Sequence, residues 1–263
     1  MLMFLKTVCL KEWYILYKMK FAVCSLALGA EYRDTIKWCI ASQEEHARRH
    51  GYPRITDESV FVPERDATWS KIPLLQKYLP NYDYIMWIDG DVLITNQDRT
   101  IEEFIELMDP AKFLFIGRDF QGLNAGVFVI RNCPLALEFL ADAWNRPELA
   151  RVLFHEQTAM TDLLATPKYK GCAQILPHAF INIMNAYDYR MDPRVHWLPG
   201  DFCIHFAGIK DPHTRLALQE AYLRVASNDP QGTERVQKYA TLKKALDCKI
   251  RETSATTLAG AQT

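Results

Sequence analysis

Short apolar runs that alternate with segments of helical period restrict this chain to few architectures. KFAVCSLALG (20–29), YIMWI (84–88), FLFIG (113–117), GVFVIRN (126–132), AQILP (173–177) and FCIHFAG (202–208) read as buried strands. Between the first two, Ile36, Cys39 and Ile40 share a helix face, and Gly51 with Pro53 ends that helix. TWSKIPLLQKYL (68–79) reads as a helix with Thr68 as N-cap and Pro73 near its first turn. TIEEFIELM (100–108), PLALEFLADAW (134–144), EQTAMTDLLA (156–165) and residues 213–226 and 232–248 also read as helical. The alternation predicts an α/β sandwich around a mostly parallel central sheet, which binds ligands at the carboxyl ends of its strands.

The chain has 263 residues, 49% of them hydrophobic, enough for one large core. The expected organisation is an amphipathic N-terminal extension (1–19), a single domain over 20–250 and a disordered tail over 251–263. The extension can equally be sequence upstream of a start at Met19. A formal net charge of −1 gives no basic field for nucleic acid. The uncharged stretch before Lys6 is only five residues, short of the roughly 20 that a spanning helix needs. No small-residue cleavage site marks a signal peptide. Seven cysteines without a CxxC pair read as reduced, mostly buried thiols. Together these lead to the expectation of a soluble, cytoplasmic protein without a membrane span. Nothing in the pattern sets its oligomeric state.

The apolar run 84–88 ends abruptly in Asp89-Gly90-Asp91. Two carboxylates at i and i+2 of an extended backbone point to one side, repel each other and are costly to bury. A cation must hold them. Hard oxygen ligands of this kind suit Mg²⁺ or Mn²⁺, which keep open positions for substrate phosphates. Gly90 permits a tight turn or a close approach. An Asp-Gly-Asp surface turn is the bland alternative, and the apolar strand before the pair argues against it.

His205 directly follows another apolar strand and can offer an imidazole to the same ion. Gly208 and Lys210, just beyond it, suit a phosphate, as backbone approach and as point charge. Asp119, Asn124, Ala125 and Gly126 belong to a segment of small and polar residues around 119–126. It reads as a loop that admits a ligand, with Asp119 and Asn124 facing hydroxyls. Glu156 and Gln157 follow His155 at the start of a helix, where an acid also suits the helix dipole.

These segments, WIDGDVLITN, LNAGVFVIRN, EQTAM, NAY (185–187) and GDFCIHFAGIK, resemble glycosyltransferase family 34 in order and spacing over roughly residues 20–212. That family includes fungal α-1,6-mannosyl- and α-galactosyltransferases and plant xyloglucan xylosyltransferases. The resemblance implies a GT-A fold and a Mn²⁺-dependent (or Mg²⁺-dependent), anomer-retaining transfer. The donor would be a nucleoside-diphosphate sugar, and the acceptor a carbohydrate or another hydroxyl compound. It implies Asp89, Asp91 and His205 as metal ligands, and Gly90 within the metal and diphosphate motif. Gly208 and Lys210 match diphosphate contacts, Asp119 and Asn124 donor-sugar contacts. Glu156 and Gln157 match an acidic–Gln pair near the reacting face of the sugar. Lys71, in TWSK, matches a Trp-x-Lys helix bordering the donor site. The family usually has Asp where Glu156 stands, and a Golgi anchor that has no counterpart here.

Two rival readings remain at this level. A nucleotidyl- or phosphotransferase also joins acidic pairs to Mg²⁺ and phosphates, but the chain has no GxxxxGK[ST]. A sugar-binding relic of the same fold would bind a donor without turning it over.

Overall fold

The computed structural model describes residues 19–119, 122–177, 183–184 and 197–228. The N-terminal extension to residue 18, NAY (185–187), the expected helix 232–248 and the C-terminal tail lie outside them.

The strands, in chain order, are β1 (Phe21–Cys24), β2 (Arg54–Ile55), β3 (Tyr84–Ile88), β4 (Val92–Ile94), β5 (Leu114–Asp119), β6 (Gly122–Arg131), β7 (Ala173–Pro177), β8 (Ile183–Met184) and β9 (Cys203–His205). The helices are α1 (Ala30–Thr35), α2 (Lys37–His50), α3 (Lys71–Tyr78), α4 (Ile101–Ile105), α5 (Pro134–Trp144), α6 (His155–Ala165) and α7 (Pro212–Asn228). Six strands form the main sheet in the order β2-β1-β3-β6-β5-β7. β1 runs parallel to β2 and β3, β5 parallel to β7, and β6 is antiparallel to its neighbours. The expected mostly parallel α/β sheet is therefore present.

Strand period two sorts the apolar runs between two cores. Ala22, Cys24, Ile85, Trp87, Phe128 and Ile130 pack with Ile72, Leu75, Phe139 and Met160 from α3, α5 and α6. Phe21, Val23, Met86, Ile88, Val127 and Val129 pack on the other face with Phe104 and Phe202. Burial on both faces explains why these strands read as unbroken apolar runs.

A smaller sheet, β4-β9-β8, adjoins the end of β3. The chain leaves β3 at Ile88, turns through Asp89-Gly90-Asp91 and enters β4, which pairs with β9 in the register Val92↔His205. That crossing from one sheet to the other brings two remote sequence motifs together.

Three local expectations change. Asp66, not Thr68, caps the turn before α3: its Oδ1 accepts from Thr68 N, and a 3₁₀ turn over Ala67–Ser70 precedes the α-helix. Ile36 interrupts the first helical segment, giving α1 and α2. Residues 122–126 form the start of β6, not a loop. Ile116 faces Phe128 while its successor Gly117 faces Asn124, so Ala125, Gly126 and Val127 are extra residues in a wide bulge of β6. No helix among the described residues is long and apolar enough to cross a membrane.

Candidate functional site

The turn after β3 is held from several sides. The Asp89 N–H donates to the Gly126 carbonyl at 2.8 Å, and the side-chain amide of Gln43 donates to the Asp89 and Val92 carbonyls at 3.0 and 2.9 Å. The Phe206 N–H donates to the Asp91 carbonyl at 3.1 Å. Gly90 is buried, and a Cβ there would lie 2.9 Å from the Leu26 carbonyl oxygen and 3.3 Å from the Ala27 Cβ. The close approach expected of Gly90 is thus to backbone.

This frame sets Asp89 and Asp91 beside His205. Its Nε2 lies 3.2 Å from Asp91 Oδ1 and 3.8 Å from Asp89 Oδ2. Asp89, Asp91 and His205 each offer one ligand atom, and these atoms lie within 4.8 Å of one another. Burial works against a charged His205, but Asp91 foremost, then Asp89, outweighs it and holds the imidazole pKa above its usual value. Burial likewise opposes the Asp91 carboxylate, and His205 foremost brings its pKa below the usual range. Among the described residues His205 Nδ1 has no hydrogen-bond partner, although it is buried. Two carboxylate oxygens and one imidazole nitrogen within 4.8 Å of one another form a donor set that fits a divalent cation.

Gly126 makes room for that imidazole. A Cβ at Gly126 would lie 2.3 Å from His205 Cε1 and 2.5 Å from Nδ1, closer than atoms can approach. The β6 bulge places Gly126 there. Asn124 Oδ1 accepts from the Gly126 N–H at 2.9 Å, and Gln157 Oε1 accepts from the Ala125 N–H at 2.8 Å.

Lys71 lies beneath the acidic turn, 2% exposed. Its Nζ donates to the Ala125 carbonyl and to Glu156 Oε1, both at 2.8 Å, and lies 3.2 Å from Asp89 Oδ1. Burial opposes its charge, yet Asp89 and then Glu156 prevail and raise its pKa. Among the described residues Glu156 Oε2 is buried without a hydrogen-bond partner. Asp89 Oδ1 also accepts from the Trp87 indole N–H at 2.6 Å. Lys71 therefore pairs with Asp89, and the His205 imidazole lies chiefly against Asp91.

Gly208 adopts φ +77° on the loop leaving β9, and Lys210 is exposed on the same loop. Arg215 of α7 donates to the Ile209 carbonyl of that loop and, at 2.8 Å, to Thr35 Oγ1. The Asp119 backbone pairs with Gly122 at the end of β5; its side chain lies outside the described part. Gln43, Trp87 and Arg215 were not singled out by the sequence. Gln43 carried a signal: it falls on the face of Cys39 and Ala47, four residues from each, where a polar side chain is out of place.

The main sheet, its antiparallel β6 and the acidic turn at the end of β3 form a fold of the GT-A type. The structure resembles the glycosyltransferase involved in the glycosylation of the major capsid of PBCV-1 (TM-score 0.63, 19% identity, covering 77% of this chain and 99% of that one). It also resembles apo GlyE of Streptococcus pneumoniae (TM-score 0.55, 16% identity, 79% and 60%). The chain belongs to the galactosyl transferase GMA12/MNN10 family, which matches residues 14–113 and 106–214. An uncharacterised alpha-1,2-galactosyltransferase of Schizosaccharomyces pombe is 27% identical over 66% of this chain and 56% of its own length. An alpha-1,2-galactosyltransferase of the same organism is also 27% identical, over 64% and 55%. The chain thus spans a little over half the length of these relatives.

Proposed function

We propose that this protein is a cation-dependent, anomer-retaining glycosyltransferase. It would move a hexose or pentose from a UDP- or GDP-sugar to a hydroxyl of a glycan or another acceptor. The observation that carries the reading is the convergence of Asp89, Asp91 and His205, with ligand atoms within 4.8 Å, at the carboxyl end of β3. An imidazole within an otherwise oxygen set favours Mn²⁺ over the strictly oxygen-seeking Mg²⁺. Bound there, the cation would neutralise charge on the departing diphosphate. Relatives named galactosyltransferases make a galactosyl donor the first to test.

The chain's own groups take the remaining roles. Lys210 supplies a point charge to the diphosphate, and the left-handed backbone at Gly208 turns the loop toward it. Asp119 and Asn124, at the β5–β6 hairpin, are assigned to sugar hydroxyls. Glu156 Oε2, buried and without a partner among the described residues, supports a contact with a hydroxyl at the reacting face. The ion pair of Glu156 Oε1 with Lys71 stabilises the carboxylate and blunts it as a nucleophile, which favours same-face attack over a covalent glycosyl-enzyme. Gln157 anchors the bulge through Ala125. Among the described residues Cys24, Cys39, Cys133 and Cys172 form no disulfide, in keeping with a reducing, cytoplasmic location.

A panel of UDP- and GDP-sugars with Mn²⁺ and simple glycoside acceptors tests the reading. Nucleoside diphosphate should be released from one donor, with the anomeric configuration kept in the product. Tight donor binding without release from any pair would instead make this a sugar-nucleotide-binding protein.

A further inference from the structure

We infer that Lys71 is a positioning residue whose ammonium fixes the orientation of Asp89 and touches no donor. The inference rests on the reading of Asp89, Asp91 and His205 as cation ligands. A lysine ammonium has three hydrogens and no acceptor. Lys71 has three acceptors around it: the Ala125 carbonyl, Glu156 Oε1 and Asp89 Oδ1, at 2.8, 2.8 and 3.2 Å. Its donor capacity is filled from within the protein, and at 2% exposure it offers no face to a ligand.

The consequence falls on Asp89. Its Oδ1 is held by Lys71 and by the Trp87 indole N–H at 2.6 Å. The ammonium also lies 5.3 Å from the centre of the Trp87 ring, so cation, indole and carboxylate form one packed unit. A carboxylate with one oxygen clamped from the core side presents only the other. That oxygen, Oδ2, is the one facing His205 Nε2, at 3.8 Å. Lys71 thus selects which Asp89 oxygen is offered and in which direction. Its other ion pair ties the same unit to Glu156 on α6, 85 residues further along the chain.

Loss of Lys71 would have two effects that can be separated. It leaves Glu156 as a buried carboxylate without its cation, which destabilises the fold. It also frees Asp89 to rotate. The experiment compares wild type, Lys71→Met and the double variant Lys71→Met with Glu156→Gln. Melting and Mn²⁺ binding by calorimetry are measured on nucleotide-free protein. Lys71→Met should melt earlier and bind Mn²⁺ at least about tenfold more weakly, the scale typical of groups that orient metal ligands. The double variant should recover its melting temperature and keep the weakened Mn²⁺ binding. Recovery of both would mean that Lys71 only balances Glu156, and would overturn the inference. So would a Lys71→Met protein with wild-type Mn²⁺ affinity that loses donor affinity alone.

A second readout needs no metal. The Trp87 indole N–H resonance, assigned through Trp87→Phe, should shift in metal-free Lys71→Met and in the double variant but stay in place in Glu156→Gln. An unmoved resonance in Lys71→Met overturns the inference. If wild-type protein binds no Mn²⁺, the proposed function fails, and an unmoved Trp87 resonance would still rule out that Lys71 orients Asp89.

Discussion

At Gly126 the missing side chain has a definite use. Its Cα faces the His205 ring so closely that even a methyl group would overlap Cε1 and Nδ1. Gly126→Ala must therefore turn the imidazole away from Asp91 or push β6 off the end of β3. Either shift should weaken Mn²⁺ binding by about tenfold or more, measured by calorimetry. His205→Ala should do the same while leaving a cavity in place of a clash. If Gly126→Ala binds Mn²⁺ as wild type does, His205 is not held where the site requires it. Asp91→Asn tests the pair differently. The amide keeps the shape and removes the charge, so turnover should be abolished, with a modestly lower melting temperature from the lost pairing with His205. The sequence made Asp89, Asp91 and His205 legible because each interrupts or ends an apolar run, where a charged or titratable group needs a reason. Lys71 was legible only as a neighbour of the site. Its partner Glu156 lies in another helix, and no spacing rule links the two.

Among the elements, α2 shows how a polar residue on an apolar face reports on tertiary structure. Gln43 is fully buried and ties α2 to the acidic turn, and His46, one position before Ala47, donates from Nε2 to the Arg99 carbonyl at 2.7 Å. Burial foremost, with the neighbouring His50 and Arg49 adding to it against the Arg99 hydrogen bond, lowers the His46 pKa to about 4. Its other neighbours, the rings of Tyr52 and Phe202, bring no positive charge. The sign follows from proton uptake: the unfolded chain binds a proton near pH 6.5 that the folded chain refuses until about pH 4. This stability is present above pH 6.5 and is lost as the pH falls toward 4. Between pH 7 and pH 5 the loss from His46 should be about 2 kcal/mol. Denaturant melts of wild type and His46→Phe at both pH values check it, with the variant showing the shallower decline. Equal declines would assign the pH dependence elsewhere. Elements were legible where propensity and burial agree, as in α5, whose bounds match the apolar helical run. They were misread where a partner decides. Asp66 outcompetes Thr68 as a cap because its carboxylate reaches both the Thr68 N–H and hydroxyl. The 122–126 segment becomes strand because β5 pairs with it, a register that small and polar residues do not announce.

For the whole molecule the decisive feature is that the candidate ligands belong to different sheets. Asp89 extends β3 of the main sheet, while Asp91 and His205 border β4 and β9 of the smaller one. A cation among them would join the two sheets at their seam. Since the unfolded chain cannot hold the three ligands together, binding should add directly to folding stability. At a free Mn²⁺ concentration of 100 times its dissociation constant the gain is about 2.7 kcal/mol. For a domain of this size that corresponds to a rise in melting temperature of roughly 5–10 °C. Excess EDTA should reverse it, and Asp91→Asn should remove most of it. The same linkage fixes an order of events for the nucleotide. If the diphosphate binds chiefly through the cation, UDP or GDP should raise the melting temperature with Mn²⁺ present and have little effect in EDTA. Nucleotide affinity undiminished by EDTA would show that the binding surface is carried by Lys210 and the loop after β9 alone. The acidic turn would then need another role.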